Sequence, residues 1–73
     1  MDDRDIFLMI IEEFVGDDYE IIWDKNSEII VHIANPQGYV DAEEIRNTVQ
    51  SEIHRPTVII DDFGTEMEIG LYY

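Results

Sequence analysis

Apolar residues recur along this chain with two alternating periods. Near the start they come at helical spacing. Ile6, Phe7, Ile10, Ile11, Phe14 and Val15 sweep about half the circumference at about 100° per residue, and Leu8 widens the face. Asp2, Asp3 and Asp5 stand where a helix dipole favours acids, and Gly16 follows the last periodic residue. The pattern predicts a helix that stops near Val15, and a face so broad predicts cover on more than one side. Residues 19–23 and 28–33 are rich in β-branched and aromatic types, and Lys25-Asn26-Ser27 between them is turn chemistry, so they are expected to pair as a hairpin. Asn35-Pro36-Gln37-Gly38 then forces a loop. Asp41 and Glu44 stand at N-cap and N3 spacing, an aspartate variant of the capping box, and Ala42, Ile45, Val49 and Ile53 fall on one narrow stripe. A second helix over about 41–54 follows, with His54 in its last turn. Pro56 marks the next boundary and suits the first residue of an edge strand. Residues 58–61 and 66–72 form a second hairpin about Phe63-Gly64-Thr65.

The second half echoes the first. Shifted by 38 positions, Ile21, Ile22, Asp24, Ser27, Glu28, Val31 and Ile33 fall on Ile59, Ile60, Asp62, Thr65, Glu66, Ile69 and Leu71 without a gap. Upstream, Asp3, Phe7, Ile11 and Val15 fall on Asp41, Ile45, Val49 and Ile53. The chain therefore reads as one domain over 1–73, built from pseudo-repeats 2–34 and 40–73. The element order αββαββ is that of a ferredoxin-like βαββαβ sandwich whose first strand has moved to the end. The expected fold class is α+β, a two-layer sandwich with two helices on one face of a four-stranded antiparallel sheet. Residues 28–33 and 66–72 would lie in its centre. A two-residue turn at Gly64-Thr65 pairs Ile60 with Ile69 and Val58 with Leu71, pointing inward. The same register points Ile22, Ile29, Val31 and Ile33 inward. It leaves Tyr19, Ile21, Trp23, Ile30, His32, Ile59 and Tyr72 for the open face, an apolar and aromatic patch of the kind that marks an interface. A one-residue bulge in the first hairpin would instead bury Trp23 and expose Ile22.

Charge changes the picture. The chain carries 18 acidic residues against 4 lysines and arginines, a formal net charge of -14. So acidic a chain suggests disorder, but 45% hydrophobic content with abundant isoleucine predicts a packed core. Cysteine is absent, which removes disulfides and thiolate metal sites and fits a reducing cytoplasm. The longest apolar run, 6–11, is too short to span a bilayer and follows acids rather than the basic flank of a signal peptide. A soluble cytoplasmic protein with no membrane partner is expected, in a bacterial or phage-infected cell. The shortage of cations excludes direct nucleic-acid binding.

Candidate chemistry is sparse. Asp61-Asp62-Phe63-Gly64-Thr65-Glu66 holds carboxylates near a Gly turn, but the alternating spacing of a calcium loop is missing, and a solvated hairpin tip explains it. His32 has no acidic neighbour at motif spacing, and no base-and-nucleophile pattern or Gly-rich phosphate loop is present. Neither catalytic nor metal residues are expected, and no cofactor. Acids at helix starts need no special account. Glu12 and Glu13, however, stand at the wrong end of the first helix for its dipole and are followed by Asp17, Asp18 and Glu20, a crowding that opposes folding. These five form one candidate strip of phosphate-like charge, and Asp61, Asp62, Glu66 and Glu68 form a second. Such strips suit the Lys and Arg groove of a nucleic-acid enzyme. Small acidic inhibitors of restriction or CRISPR nucleases, and antitoxins that block basic nucleases, are similar in size and charge, though no motif carries the likeness. The expectation is a non-enzymatic inhibitor whose partner is a basic nucleic-acid-binding protein. The alternative is an assembly module that homodimerises through Tyr19, Ile21, Trp23, Ile30 and Tyr72.

Overall fold

Six elements follow one another in the computed structural model, which describes residues 2–54 and 57–73. They are α1 (Asp3–Val15), β1 (Tyr19–Lys25), β2 (Glu28–Ala34), α2 (Ala42–Glu52), β3 (Thr57–Asp62) and β4 (Glu66–Tyr72). The strands make one antiparallel sheet in the order β1-β2-β4-β3. A ferredoxin-like sandwich has that order once its first strand is moved to the end, so the expected two-layer architecture is the observed one. The boundary expected at Pro56 lies outside the described residues.

Local chemistry sets the helix ends. The Asp2 carboxylate accepts from the Asp5 amide at 2.9 Å and caps α1, and Gly16, at φ 65°, closes it by donating to the Glu12 carbonyl. Asp41 caps α2 through the Glu43 amide at 2.9 Å. This helix ends at Glu52, earlier than the stripe suggests, because Ile53 turns to extended backbone (φ -113°, ψ 131°) as it buries its side chain in the core. His54 therefore lies beyond the last turn and not in it.

Both helices bury their apolar stripes against one sheet face. Phe7, Ile10 and Ile11 of α1 and Ile45 and Val49 of α2 meet Ile29, Val31 and Ile33 of β2 and Met67, Ile69 and Leu71 of β4, all buried. The broad face of α1 is covered only in part: Ile6, Leu8, Phe14 and Val15 are half-buried, while Met9 is 48% exposed. Between the helices Asn35 is buried at the loop, where its side-chain amide donates to the Val40 carbonyl at 3.2 Å and its Oδ1 accepts from the Val40 amide at 3.1 Å.

The hairpins share a turn position but differ in register. Asn26 and Ser27 take φ 59° and 58°, the left-handed pair that a two-residue hairpin turn of the primed kind requires. At the other tip the Asp62 carboxylate accepts from the Gly64 amide at 2.9 Å. The second hairpin pairs Val58 with Leu71 and Ile60 with Ile69, as its turn dictates. The first begins equally regularly, with Lys25 opposite Glu28, Asp24 opposite Ile29 and Trp23 opposite Ile30. A bulge then falls at Ile22, and the pairing resumes as Ile21 with Val31, Glu20 with His32 and Tyr19 with Ile33. The expected face is thereby corrected upstream of the bulge. Tyr19 and Ile21 share the helix side with Ile33 and Val31, and Ile22 is 47% exposed instead of buried. The extra residue reverses the alternation. It lets Tyr19 cover the core edge and donate its hydroxyl to Glu12 of α1 at 2.8 Å. Trp23 keeps its place on the open face.

Candidate partner-binding face

The registers fix what the helix-free face presents, because directly opposed residues point the same way. Three rows cross all four strands. Lys25, Glu28, Tyr72 and Thr57 form the first; Trp23, Ile30, Gly70 and Ile59 form the second; Glu20, His32, Glu68 and Asp61 form the third. Beyond the third row Ala34 stands opposite Glu66. One end of the face is mixed, the middle is apolar, and the other end is acidic.

Glycine at position 70 keeps the apolar row low. A Cβ there would stand 3.4 Å from Cγ1 of Ile30 and within 4 Å of the Ile29 and Ile59 carbonyls. Ile30, Ile59, Asp61, Glu68, Tyr72 and Glu28 surround it as the walls of a shallow groove of about 140 Å³. Ile59 is 46% exposed and Trp23 39%.

Among the described residues the cations lie away from the acidic end. Arg4 of α1 clamps the Asp24 carboxylate with hydrogen bonds of 2.6, 2.9 and 3.1 Å. That hydrogen bonding holds the Asp24 carboxyl below its ordinary range and pushes the Arg4 guanidinium above its own. Lys25 sits over the Trp23 ring, 4.5 Å from its centroid. Arg46 lies 3.9 Å from Glu43, in α2. Among the described residues no ion pair reaches Glu20, Asp61 or Glu68, and Glu66 meets only the His32 imidazole, Nε2 to Oε2 at 3.4 Å. At the mixed end, a hydrogen bond with Glu28 raises the Tyr72 hydroxyl above its usual pKa. The Tyr19 hydroxyl is raised in the same way by Glu12, on the helix side.

The two strips expected from the sequence are thus redistributed. Glu20 from the first and Asp61, Glu66 and Glu68 from the second share one end of the open face. Asp18 adjoins them, lining a surface hollow with Tyr19, Glu20, His32, Ala34 and Pro36. Glu12 and Glu13 stay on α1, where Glu13 flanks a groove between the helices beside Ile6, Met9 and Glu52. Asp17 is an exposed residue of the turn after α1, and Asp62 points to the helix side opposite Met67. Of the apolar set, Trp23, Ile30 and Tyr72 lie on the open face while Tyr19 and Ile21 do not. One member of the face escapes a reading of charge runs, Glu28, isolated in sequence from other acids; His32, expected on this face, is set among the carboxylates. Strand alternation signals both, since Glu28, Ile30 and His32 are two residues apart.

Among the described residues no group of three potential ligands is placed to hold a metal ion, and no helix is long and apolar enough to cross a membrane. Compared with protein-family models, with curated proteins and with solved structures, the chain has no significant match to any.

Proposed function

We propose that this protein is a non-enzymatic inhibitor that presents the charge of nucleic acid to the basic groove of a nuclease or related enzyme. It belongs to the anti-restriction or anti-CRISPR kind, or to the antitoxin kind, and works in the cytoplasm of a bacterial or phage-infected cell. The observation that supports this reading best is the convergence of Glu20, Glu68, Asp61 and Glu66 from three strands onto one end of a face without helices. Neighbouring strands lie about 4.8 Å apart and alternate residues of a strand about 6.8 Å, so the carboxylates are spaced on the scale of a phosphate array. A formal charge of -14 on a body 31 Å long is also of the same order as the one charge per about 1.7 Å of duplex. The adjoining row of Trp23, Ile30 and Ile59 supplies what phosphates lack, an apolar surface whose burial favours the protein over the nucleic acid in the same groove.

The test is a titration against nucleases with basic substrate grooves: restriction endonucleases, CRISPR effector nucleases and toxin ribonucleases. A susceptible enzyme is expected to lose cleavage at one equivalent, and uncleavable duplex in excess restores it. Glu20→Lys with Glu68→Lys should weaken inhibition about 100-fold, since close charge pairs at such interfaces carry several kcal/mol. Glu12→Lys with Glu13→Lys, on the far layer, should weaken it less. Inhibition that survives charge reversal on the open face sinks the reading.

A further inference from the structure

The sheet order leaves two edges, and they are treated differently. β1 carries the bulge at Ile22, the charged side chains of Glu20, Asp24 and Lys25, and the Arg4 clamp on Asp24, devices that keep an edge from pairing with another chain. Among the described residues β3 has no bulge and no such clamp, and its charged side chains, Asp61 and Asp62, are confined to one end. It pairs with β4 without interruption from Thr57 opposite Tyr72 to Asp62 opposite Met67. Its middle, Val58-Ile59-Ile60, is apolar, and among the described residues no backbone hydrogen bond reaches its outer side.

The geometry points to a second copy of this chain as the occupant of the β3 edge, paired antiparallel about a twofold axis at Ile59. In that register Ile59 meets Ile59 of the second copy, Val58 meets Ile60, and Thr57 meets Asp61. Apolar residues meet apolar ones, and no carboxylate faces another. Asp61 and its copy stand four residues apart along the seam, about 14 Å, beyond the Debye length of about 8 Å at physiological ionic strength. The neighbouring registers are worse. An axis at Ile60 sets Ile59 against Asp61 and Val58 against Asp62, an axis at Asp61 sets that carboxylate against itself, and parallel pairing aligns both aspartates with their copies. An axis at Val58 brings no carboxylates together but sets Thr57 against Ile59, so apolar matching and charge together select the axis at Ile59. Its consequence is an eight-stranded sheet in which the row Trp23, Ile30, Gly70 and Ile59 continues into its copy, an apolar lane roughly 34 Å long at about 4.8 Å per strand. The acidic ends lie on opposite sides of that lane. This inference is independent of the inhibitor reading.

The chain has no cysteine, so single introduced ones report the seam. Directly opposed residues of antiparallel strands have Cα atoms about 4.5–5.5 Å apart, within reach of a disulfide. Ile59→Cys is expected to give a covalent dimer under oxidised glutathione, and Thr57→Cys mixed with Asp61→Cys a heterodimer that neither forms alone. Ile22→Cys, on the other edge, should remain monomeric. By sedimentation velocity the dimer fraction of the unaltered chain should rise with NaCl, because two bodies of like charge associate more readily when screened. Binding to a basic partner weakens with salt, so failure of one idea is distinguishable from failure of the other. Ile59→Lys should abolish dimer at all salt concentrations, and if that variant does not fold the cysteine result decides. A chain monomeric at about 0.5 mM in high salt, or equal cross-linking from Ile22→Cys and Ile59→Cys, overturns the proposal.

Discussion

Among the polar side chains of the described residues, Asn35 is the one that the fold encloses. It replaces solvent for both backbone groups of Val40 and so fixes the chain between the sheet and the cap of α2 at Asp41. Buried groups left without partners cost about 1–3 kcal/mol, against about 1 kcal/mol for a typical intact bond. Asn35→Ala removes the bracket without adding bulk. It is expected to lower stability by about 2 kcal/mol, which for a domain of this size is a drop in melting temperature of about 10 °C. Thermal unfolding followed by circular dichroism measures this; a midpoint within about 2 °C of the parent chain would show that the loop is held by something else. The surface pair Arg4 and Asp24, although closely bonded, is exposed at both ends and contributes little by comparison.

At the level of elements, the order, the helix starts, the turn positions and the central strands were all legible in the pattern of residues. Caps, periodicity and turn chemistry are local, and local signals are read from neighbours in sequence. The bulge at Ile22 was not legible, because nothing in Ile21-Ile22-Trp23 distinguishes the residue that is skipped. What decides it is tertiary: the gain from seating Tyr19 against the core and Glu12. The 38-residue echo points the wrong way here, since Ile22 aligns with Ile60, which packs on the core. The same omission scattered the candidate site. The acids were plain in the sequence, but which of them share a face depends on register, and one extra residue moved Glu20 to the side of Glu68 and Asp61. A pair of substitutions checks the register. Ile22→Ala should cost less than about 0.5 kcal/mol, as an exposed position does, whereas Ile29→Ala, fully buried on the neighbouring strand, should cost about 2–5 kcal/mol. Urea unfolding with equal slopes gives both values, and a large loss at Ile22 would return that residue to the core.

For the molecule as a whole, charge opposes the fold that carries it. At about 0.01 M ionic strength the Debye length is about 30 Å, close to the 31 Å long axis, so each carboxylate is repelled by nearly all the others. At about 1 M it is about 3 Å and only immediate neighbours interact. Unfolding separates the charges, so low salt favours the open chain and added salt the compact one. Relief of about 1 kcal/mol corresponds to about 4–8 °C in a domain of this length. Raising NaCl across that range should therefore raise the melting temperature by at least about 5 °C, with most of the gain below about 0.1 M, where screening changes from the whole molecule to its parts. Glu20→Gln with Glu68→Gln should flatten the curve by removing two carboxylates that no cation among the described residues offsets. A flat curve in the parent chain would mean that bound counterions already neutralise the acidic end, and the face would then have much less charge to offer a basic groove than its formal count implies.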